Sequence, residues 1–249
     1  MRIVRFIHEN RILNGILEED SIVFKERSSK KTKIKKQNAL LLAPVIPSKI
    51  VLVGLNYADH AGELGMEKPL EPIIFIKPPT SVIGPGEDIV YPTSSERVDY
   101  EAELAVVIKK TAKNIKRDKA KEYILGYTCF NDITARDIQR RDVQWTRAKS
   151  FDTFAPIGPW IETELEASDV YVRSYLNGEE KQNSRTSEFI FDIPYLIEFI
   201  SSVMTLCEGD IIATGTPPGV GPLFPGDEIT VEIEGIGRLT NRVREQFKG

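Results

Sequence analysis

The chain has 249 residues, 41% of them apolar and 28% charged, and its 33 basic and 37 acidic side chains leave a formal net charge of −4. This composition excludes a mainly disordered chain, and the length lets one or two domains bury a core without staples. Nucleic-acid binding over the whole surface is excluded by the charge balance, a membrane span by the lack of any apolar run near 18 residues, and a disulfide framework or zinc site by having only two distant cysteines, Cys129 and Cys207.

In chain order, residues 2–7, 10–17 and 21–24 read as three short strands, with Asn14-Gly15 and Glu19-Asp20 as turn chemistry. The basic stretch 25–36 carries Lys25, Arg27, Lys30, Lys31, Lys33, Lys35 and Lys36 against Glu26 alone. No aromatic interrupts it to stack on bases, so a solvated linker or loop is the better reading than a nucleic-acid patch. Pro44 to Pro47 marks the expected boundary between a small β-rich N-terminal domain, 1–45, and the bulk of the chain, 46–249.

In the bulk, 50–54 is an apolar strand, 57–65 a short helix that Gly65 terminates, and 73–77 a strand stopped by Pro78-Pro79. Residues 98–109 read as one long strand, 115–123 as a surface helix, 124–131 as a strand and 135–143 as a helix. Asn177-Gly178 turns a hairpin between 168–176 and 179–184. A helix follows at 193–203, with Pro194 in its first turn, and then strands at 211–214, 228–233 and 238–244. The pattern is α+β, mainly β, without regular βαβ alternation. The N-terminus alternates Arg with apolar residues rather than leading into a long apolar signal region, so the cytoplasm is the expected compartment.

Chemistry concentrates at few positions. On a strand, Glu101 and Glu103 point the same way. Two sheltered carboxylates about 5 Å apart repel by roughly 3 kcal/mol at an effective dielectric of 20, so a proton, a base or a metal must offset them. An edge strand with both groups in water satisfies the pattern equally. Asp132, at the end of an apolar strand, would complete an oxygen cage of the kind that suits Mg²⁺, Mn²⁺ or Ca²⁺. Helix capping is the other use for Asp132, but Thr134, with Asp137 three residues on, competes for it. Lys149 lies among aromatics and proline, and three carboxylates, a divalent ion and this lysine sum to zero charge. A snorkelling lysine fits that position as well.

His60 and Glu63 face each other at i and i+3. They read as a general base with its orienting carboxylate, or as a surface ion pair, which is commoner at this spacing. The glycine-rich loop 215–221 lacks the ending of a P-loop. Its backbone N–H groups and the Thr216 hydroxyl suit a small carboxylate, and a tight turn needs the same residues.

Five motifs stand in order: Gly-Leu-Asn-Tyr-Ala-Asp-His at 54–60, Tyr-Glu-Ala-Glu-Leu at 100–104, Asn-Asp-Ile-Thr-Ala-Arg-Asp-Ile-Gln at 131–139, Ala-Lys-Ser-Phe-Asp at 148–152 and Glu-Gly-Asp-Ile-Ile-Ala-Thr-Gly-Thr-Pro-Pro-Gly-Val-Gly at 208–221. Together they resemble the fumarylacetoacetate hydrolase family over about 50–243. The resemblance implies a mixed, mainly β fold with a small N-terminal domain, in a homodimer. It implies Mg²⁺ or Mn²⁺, with Ca²⁺ as a substitute, on Glu101, Glu103 and Asp132, steadied by Lys149. Lys77, Arg136, Gln139 and Thr216 with Gly215 would place a small 2-oxo acid substrate, with His60 and Glu63 as the water-activating pair on a lid helix.

The activity implied is hydrolysis of a C–C bond in an acylpyruvate-type β-diketo acid. Isomerisation or decarboxylation of related 2-hydroxy-dienedioates or oxaloacetate-type acids is the alternative within the family, and a non-catalytic binding protein the alternative outside it. Leu55 stands where several acylpyruvate-cleaving members carry Arg, and the larger N-terminal domain of the fumarylacetoacetate enzymes themselves is lacking.

Overall fold

The strands at the centre of the molecule are apolar on both faces, because both faces are covered. The computed structural model describes residues 1–26 and 30–246. Its largest sheet has twelve strands. Ala102–Ile108 and Ile124–Asn131 run antiparallel in the middle, with Glu103 opposite Phe130. Beyond Ala102–Ile108 lie Ile211–Ala213, the parallel Ile50–Val53, and Ile74–Lys77 at the edge. On the other side Ile124–Asn131 pairs with Ala155–Glu162, which carries the N-terminal strand Arg2–His8 through the pairs Arg2–Glu162 and Ile3–Ile161.

Alternation assigns the two faces. Leu104, Val106 and Ile108 join Val51, Val53 and Ile212 in the main core. Ala105 faces the other way, with Ile50, Leu52, Phe130 and Ile157. Four helices are used below: α1 (Ala58–Leu64), α2 (Arg136–Arg141), α3 (Thr146–Lys149) and α4 (Ile193–Val203). Helix α4 buries Leu196, Ile197 and Ile200 in the main core. Its first turn is closed by Asp192, whose carboxylate accepts the Tyr195 N–H at 2.9 Å. A five-stranded sheet contains the Asn177-Gly178 hairpin, Tyr171–Leu176 with Glu179–Arg185, and adds Val172, Val231 and Leu239 to the same core. A small three-stranded sheet sets Val98–Tyr100 between Thr134–Ala135 and Gly221–Leu223.

Several expectations need correction. The long strand 98–109 is two strands, Val98–Tyr100 and Ala102–Ile108, in different sheets. The chain changes sheets at Glu101, whose N–H donates to the Asn131 side chain at 3.0 Å while its carbonyl accepts the Asp132 N–H at 2.8 Å. Side-chain and loop partners thus replace the ladder there. Residues 117–123 wind as a 3₁₀ helix rather than an α-helix.

Helix α2 is shorter than the 135–143 pattern, and its N-cap residue is Ala135, with no side-chain cap. Thr134 lies in a strand, and its hydroxyl lies 2.8 Å from the Asp132 carbonyl, while Asp137 accepts from Ser95 at 2.6 Å. Asn14-Gly15 is not a turn. The reversal is at Glu9 and Asn10, with φ of 47° and 57°. Gly15 lies inside the strand Arg11–Glu18, where a Cβ would come within 2.8 Å of Ile22 Cγ2.

The basic stretch is partly a strand, Lys31–Lys35, at the other sheet edge, with its lysines exposed and Ile34 turned to the core. Edge lysines discourage further strand pairing. Arg27 lies outside the described residues. Among those residues no helix is long and apolar enough to cross a membrane.

One carboxylate ties the turn 207–210 to the start of the Ile50 strand. Asp210 is fully buried. It accepts from the Ser48 N–H at 3.0 Å, the Ser48 hydroxyl at 2.6 Å and the Cys207 N–H at 2.7 Å, and pairs with the Lys49 ammonium. Burial pushes its pKa up, but Lys49, Ser48 and Cys207 outweigh that and hold it below the usual carboxylate range. A folded-state pKa below the unfolded one adds stability above the unfolded value and loses it as pH falls through the folded value. Asp210→Ala is therefore expected to cost about 3 kcal/mol at neutral pH. The deficit against wild type should shrink on acidification, as measured by urea unfolding across pH 7 down to pH 3.

Candidate active site

Three elements deliver three carboxylates to one point. Glu101 is at the sheet change, Glu103 is the second residue of its strand, and Asp132 follows the end of Ile124–Asn131. All three are buried, and one oxygen from each lies within 4.8 Å of the others.

Lys149, the last residue of α3, reaches them from the side. Its Nζ donates to Asp132 Oδ2 at 2.5 Å and Glu101 Oε2 at 3.0 Å, over the Phe75 ring. Lys77 comes from the edge strand and is completely buried. Its ammonium lies 2.5 Å from Asp132 Oδ1 and bonds the carbonyls of Ile133 and Phe154. It therefore braces Asp132 from behind rather than lining the cavity. Although that ion pair is close, Asp132 Oδ1 has no well-aligned hydrogen bond.

The carboxylates respond differently to burial. For Glu101, burial pushes the pKa up, but Lys149 and Arg136 outweigh it and hold the group ionised well below the usual range. For Glu103, burial and then the charges of Asp132 and Glu101 push the pKa well up, and the Gly215 N–H and Lys149 offset this only in part. Burial lowers Lys77 to about 8 despite Asp132. Lys149 is also penalised by burial, but Asp132 and Glu101 raise it above the ordinary lysine value.

Glu103 is thus the under-compensated member of an all-oxygen trio. A hard divalent cation fits this donor set, and the lack of sulfur and imidazole argues against zinc.

A cavity of about 600 Å³ opens over the trio. Glu101, Glu103, Asp132 and Lys149 line it, as do Arg136 and Gln139 from α2, Thr216, and His60 and Glu63 from α1. Helix α1 ends at Gly65, as the spacing requires, and sets His60 Nδ1 2.8 Å from Glu63 Oε2. A carboxylate only accepts, so in the neutral imidazole Nδ1 carries the proton and Nε2 the lone pair. Glu63 also takes the Gly219 N–H at 3.3 Å, and Ser184 donates to Asp59, so the helix is fastened at two points to the loop and strand beside it.

Gly215 donates its N–H to Glu103 Oε2 at 2.9 Å. It does so with φ of 95°, where a Cβ would sit 2.9 Å from that of Asn56, so glycine is required. The Thr216 hydroxyl donates to the Ala102 carbonyl at 2.9 Å and accepts from Gln182 at 2.8 Å.

Arg136 uses three of its five N–H donors within the protein. Its Nε donates to Asp99 at 2.9 Å, one Nη to Gln139 at 2.5 Å and the other to Glu101.

The fumarylacetoacetate (FAA) hydrolase C-terminal family model matches residues 49–244. The chain belongs to the fumarylacetoacetate hydrolase family. Its fold is closely similar to that of 5-carboxymethyl-2-hydroxymuconate delta-isomerase from Mycobacterium smegmatis, with a TM-score of 0.93 and 45% identity over 100% of both chains. Maleylpyruvate hydrolase from Sphingobium sp. SYK-6, solved with manganese(II) and pyruvate, has a TM-score of 0.84 and 28% identity over 99% of this chain and 100% of its own. Oxaloacetate tautomerase fahd2, mitochondrial, from Xenopus laevis is 43% identical over 84% of this chain and 70% of its own.

Three buried residues of this fumarylacetoacetate hydrolase family member escaped the sequence reading. Asp99 orients Arg97 at 2.8 Å and Arg136 at 2.9 Å. Its signal was present, since Asp99, Glu101 and Glu103 share one parity. Asn56 joins the base of α1 to the Thr214 carbonyl at 2.7 Å and to the Phe191 N–H at 2.8 Å. Gln182 accepts the Ala102 N–H at 3.0 Å while holding Thr216 and the Pro217 carbonyl at 2.8 Å. The segment around Gln182 is polar throughout and carried no cue.

Proposed function

We propose that the protein is a divalent-metal-dependent enzyme of small 2-oxo and enol acids, and that its reaction is hydrolysis of a C–C bond in an acylpyruvate-type β-diketo acid. The observation that carries this reading is one cavity lined by the buried carboxylate trio, Lys149 and a histidine whose Nδ1 is held by a carboxylate. Glu101, Glu103 and Asp132 would hold Mg²⁺ or Mn²⁺. Such an ion supplies Lewis-acid stabilisation of a developing enolate.

The chain's own groups supply the rest. Lys149 keeps Asp132 and Glu101 oriented and contributes positive charge to the floor. Lys77 fixes Asp132 from behind. His60 Nε2 takes a proton from water, and Glu63 holds the resulting imidazolium in place. The water oxygen bonds to the distal carbonyl carbon and the adjoining C–C bond breaks. Its electron pair leaves with the three-carbon 2-oxo fragment as an enolate, which is then protonated. The products are a carboxylic acid and pyruvate. Helix α1, fastened through Glu63 and Asp59, holds His60 and Glu63 at the wall of the cavity.

A second reading, isomerisation or keto–enol tautomerisation in the same cavity, is favoured by the names of the 45% and 43% identical relatives. It uses the His60–Glu63 pair to move a proton without adding water. The test is turnover of an acylpyruvate by Mn²⁺-loaded protein in ¹⁸O-water, read by mass. Two products, with label in the released acid, are expected. A single product of unchanged mass would replace hydrolysis with the second reading.

A further inference from the structure

One backbone position beside the site carries an unfavourable residue for its shape. The Phe154 N–H returns to the Phe151 carbonyl at 3.2 Å, closing a four-residue turn in which Thr153 takes φ of 71°. Asp152 stays out of the left-handed region, so the turn has the type II form, whose third residue is ordinarily Gly or Asn. A β-branched side chain is the costly choice there, because both branches crowd the backbone. Among the described residues the other non-glycine positions with positive φ are glutamates and asparagines.

The threonine hydroxyl supplies what glycine lacks. Its Oγ1 accepts the Val90 N–H at 2.9 Å, from the strand Asp88–Tyr91 at the edge of the five-stranded sheet. The turn is tied to that sheet on one side and runs into Ala155–Glu162 of the large sheet on the other. Phe154 is fully buried, with its ring centroid 5.2 Å from that of Phe151.

Both ends of this turn reach Asp132. Just before it, Lys149 ends α3 and donates to Asp132 Oδ2 at 2.5 Å. Just after it, the Phe154 carbonyl accepts from the Lys77 ammonium, which lies 2.5 Å from Asp132 Oδ1. A few backbone bonds thus join the supports of the two cations that hold one carboxylate of the trio, and a shift of the turn would move both. Strain persists at a position only where its surroundings over-determine it.

We infer that Thr153 is a positioning residue for the trio: its hydroxyl holds a strained turn in the shape that presents Lys149 and, through the Phe154 carbonyl, Lys77 to Asp132. This rests on the trio-centred reading of the site given above, and it deepens that reading. Thr153 is not among the residues that line the cavity, so it acts through those groups.

Three substitutions separate the tether from the strain. Thr153→Ser keeps the hydroxyl and removes the second branch, Thr153→Val keeps the branching and removes the acceptor, and Thr153→Gly removes both. Each is read by thermal melting without metal and by Mn²⁺ titration calorimetry. Thr153→Ser should bind Mn²⁺ as wild type does. Thr153→Val should melt lower than wild type and bind Mn²⁺ about 10-fold more weakly, the scale for a group that orients a ligand. Thr153→Gly should melt above Thr153→Val, because the strain is released, yet bind Mn²⁺ as weakly. A turn that served stability alone would return metal affinity together with the melting temperature. Wild-type Mn²⁺ affinity in Thr153→Gly, loss of affinity in Thr153→Ser, or affinities that follow the melting temperatures across the three variants would overturn the inference and leave the trio intact. Failure of wild type itself to bind Mn²⁺ would remove the trio reading and this inference with it.

Discussion

Glu103→Ala is expected to leave a folded protein that no longer holds Mg²⁺ or Mn²⁺. Glu103 is buried against Asp132 and Glu101 and lacks a cation of its own, for Lys149 and Lys77 are placed on the other two carboxylates. Removing it relieves a like-charge contact and leaves every lysine paired, which offsets the lost hydrogen bond from the Gly215 N–H, so the metal-free variant should stay folded and melt close to wild type. Divalent affinity should fall by more than about 100-fold, since losing a direct ligand costs more than losing a group that only orients one. Turnover should fall by roughly 1,000-fold or more through loss of enolate stabilisation. Mn²⁺ titration calorimetry and thermal melting read the two arms separately. Unchanged Mn²⁺ affinity in a folded variant would remove Glu103 from the site.

Asp132→Ala makes the contrast. It strands the buried Lys77 ammonium without a carboxylate, leaves Lys149 with Glu101 alone, and should destabilise the protein by about 3–5 kcal/mol as well as abolish metal binding.

His60→Ala is expected to separate the two readings of the chemistry. His60 is held by Glu63 at 2.8 Å, so its free nitrogen is available to accept a proton from water. Loss of a positioned general base costs about 10²- to 10⁴-fold. Hydrolysis of an acylpyruvate should fall by that factor, while binding of a 2-oxo acid at the trio stays within a few-fold. Keto–enol exchange of oxaloacetate, which needs no added water, should fall much less. Rates of both reactions on the same metal-loaded variant decide the matter. Equal losses would show that His60 moves the substrate's own proton, and the tautomerase reading would then stand.

Local chemistry wrote much of the fold into the chain. Asn177-Gly178 specifies a two-residue hairpin wherever it is placed, and that hairpin forms as expected. Helix α4 carries its own cap, its proline and an apolar stripe, and it runs over the expected residues. The carboxylate trio was legible because charged side chains inside apolar strands are costly, which makes their presence informative.

The contacts between distant segments were not legible. Glu101 could not be recognised as the place where the chain changes sheets, because the partner that frees its backbone, Asn131, lies thirty residues on. Thr134 looked like a cap and became a strand residue, since it is pairing with Asp99 that decides its backbone.

What the sequence determined by itself was the inventory and order of the acidic, basic and aromatic groups and the periodicities that turn most of them toward a core. What only the tertiary structure decided was which charges meet. It placed Lys77 under Asp132 and engaged Arg136 with Asp99 and Glu101. The reason is physical. Coulomb energies in a buried site depend on distance and desolvation, and both are set by sheet pairings between residues far apart in the chain.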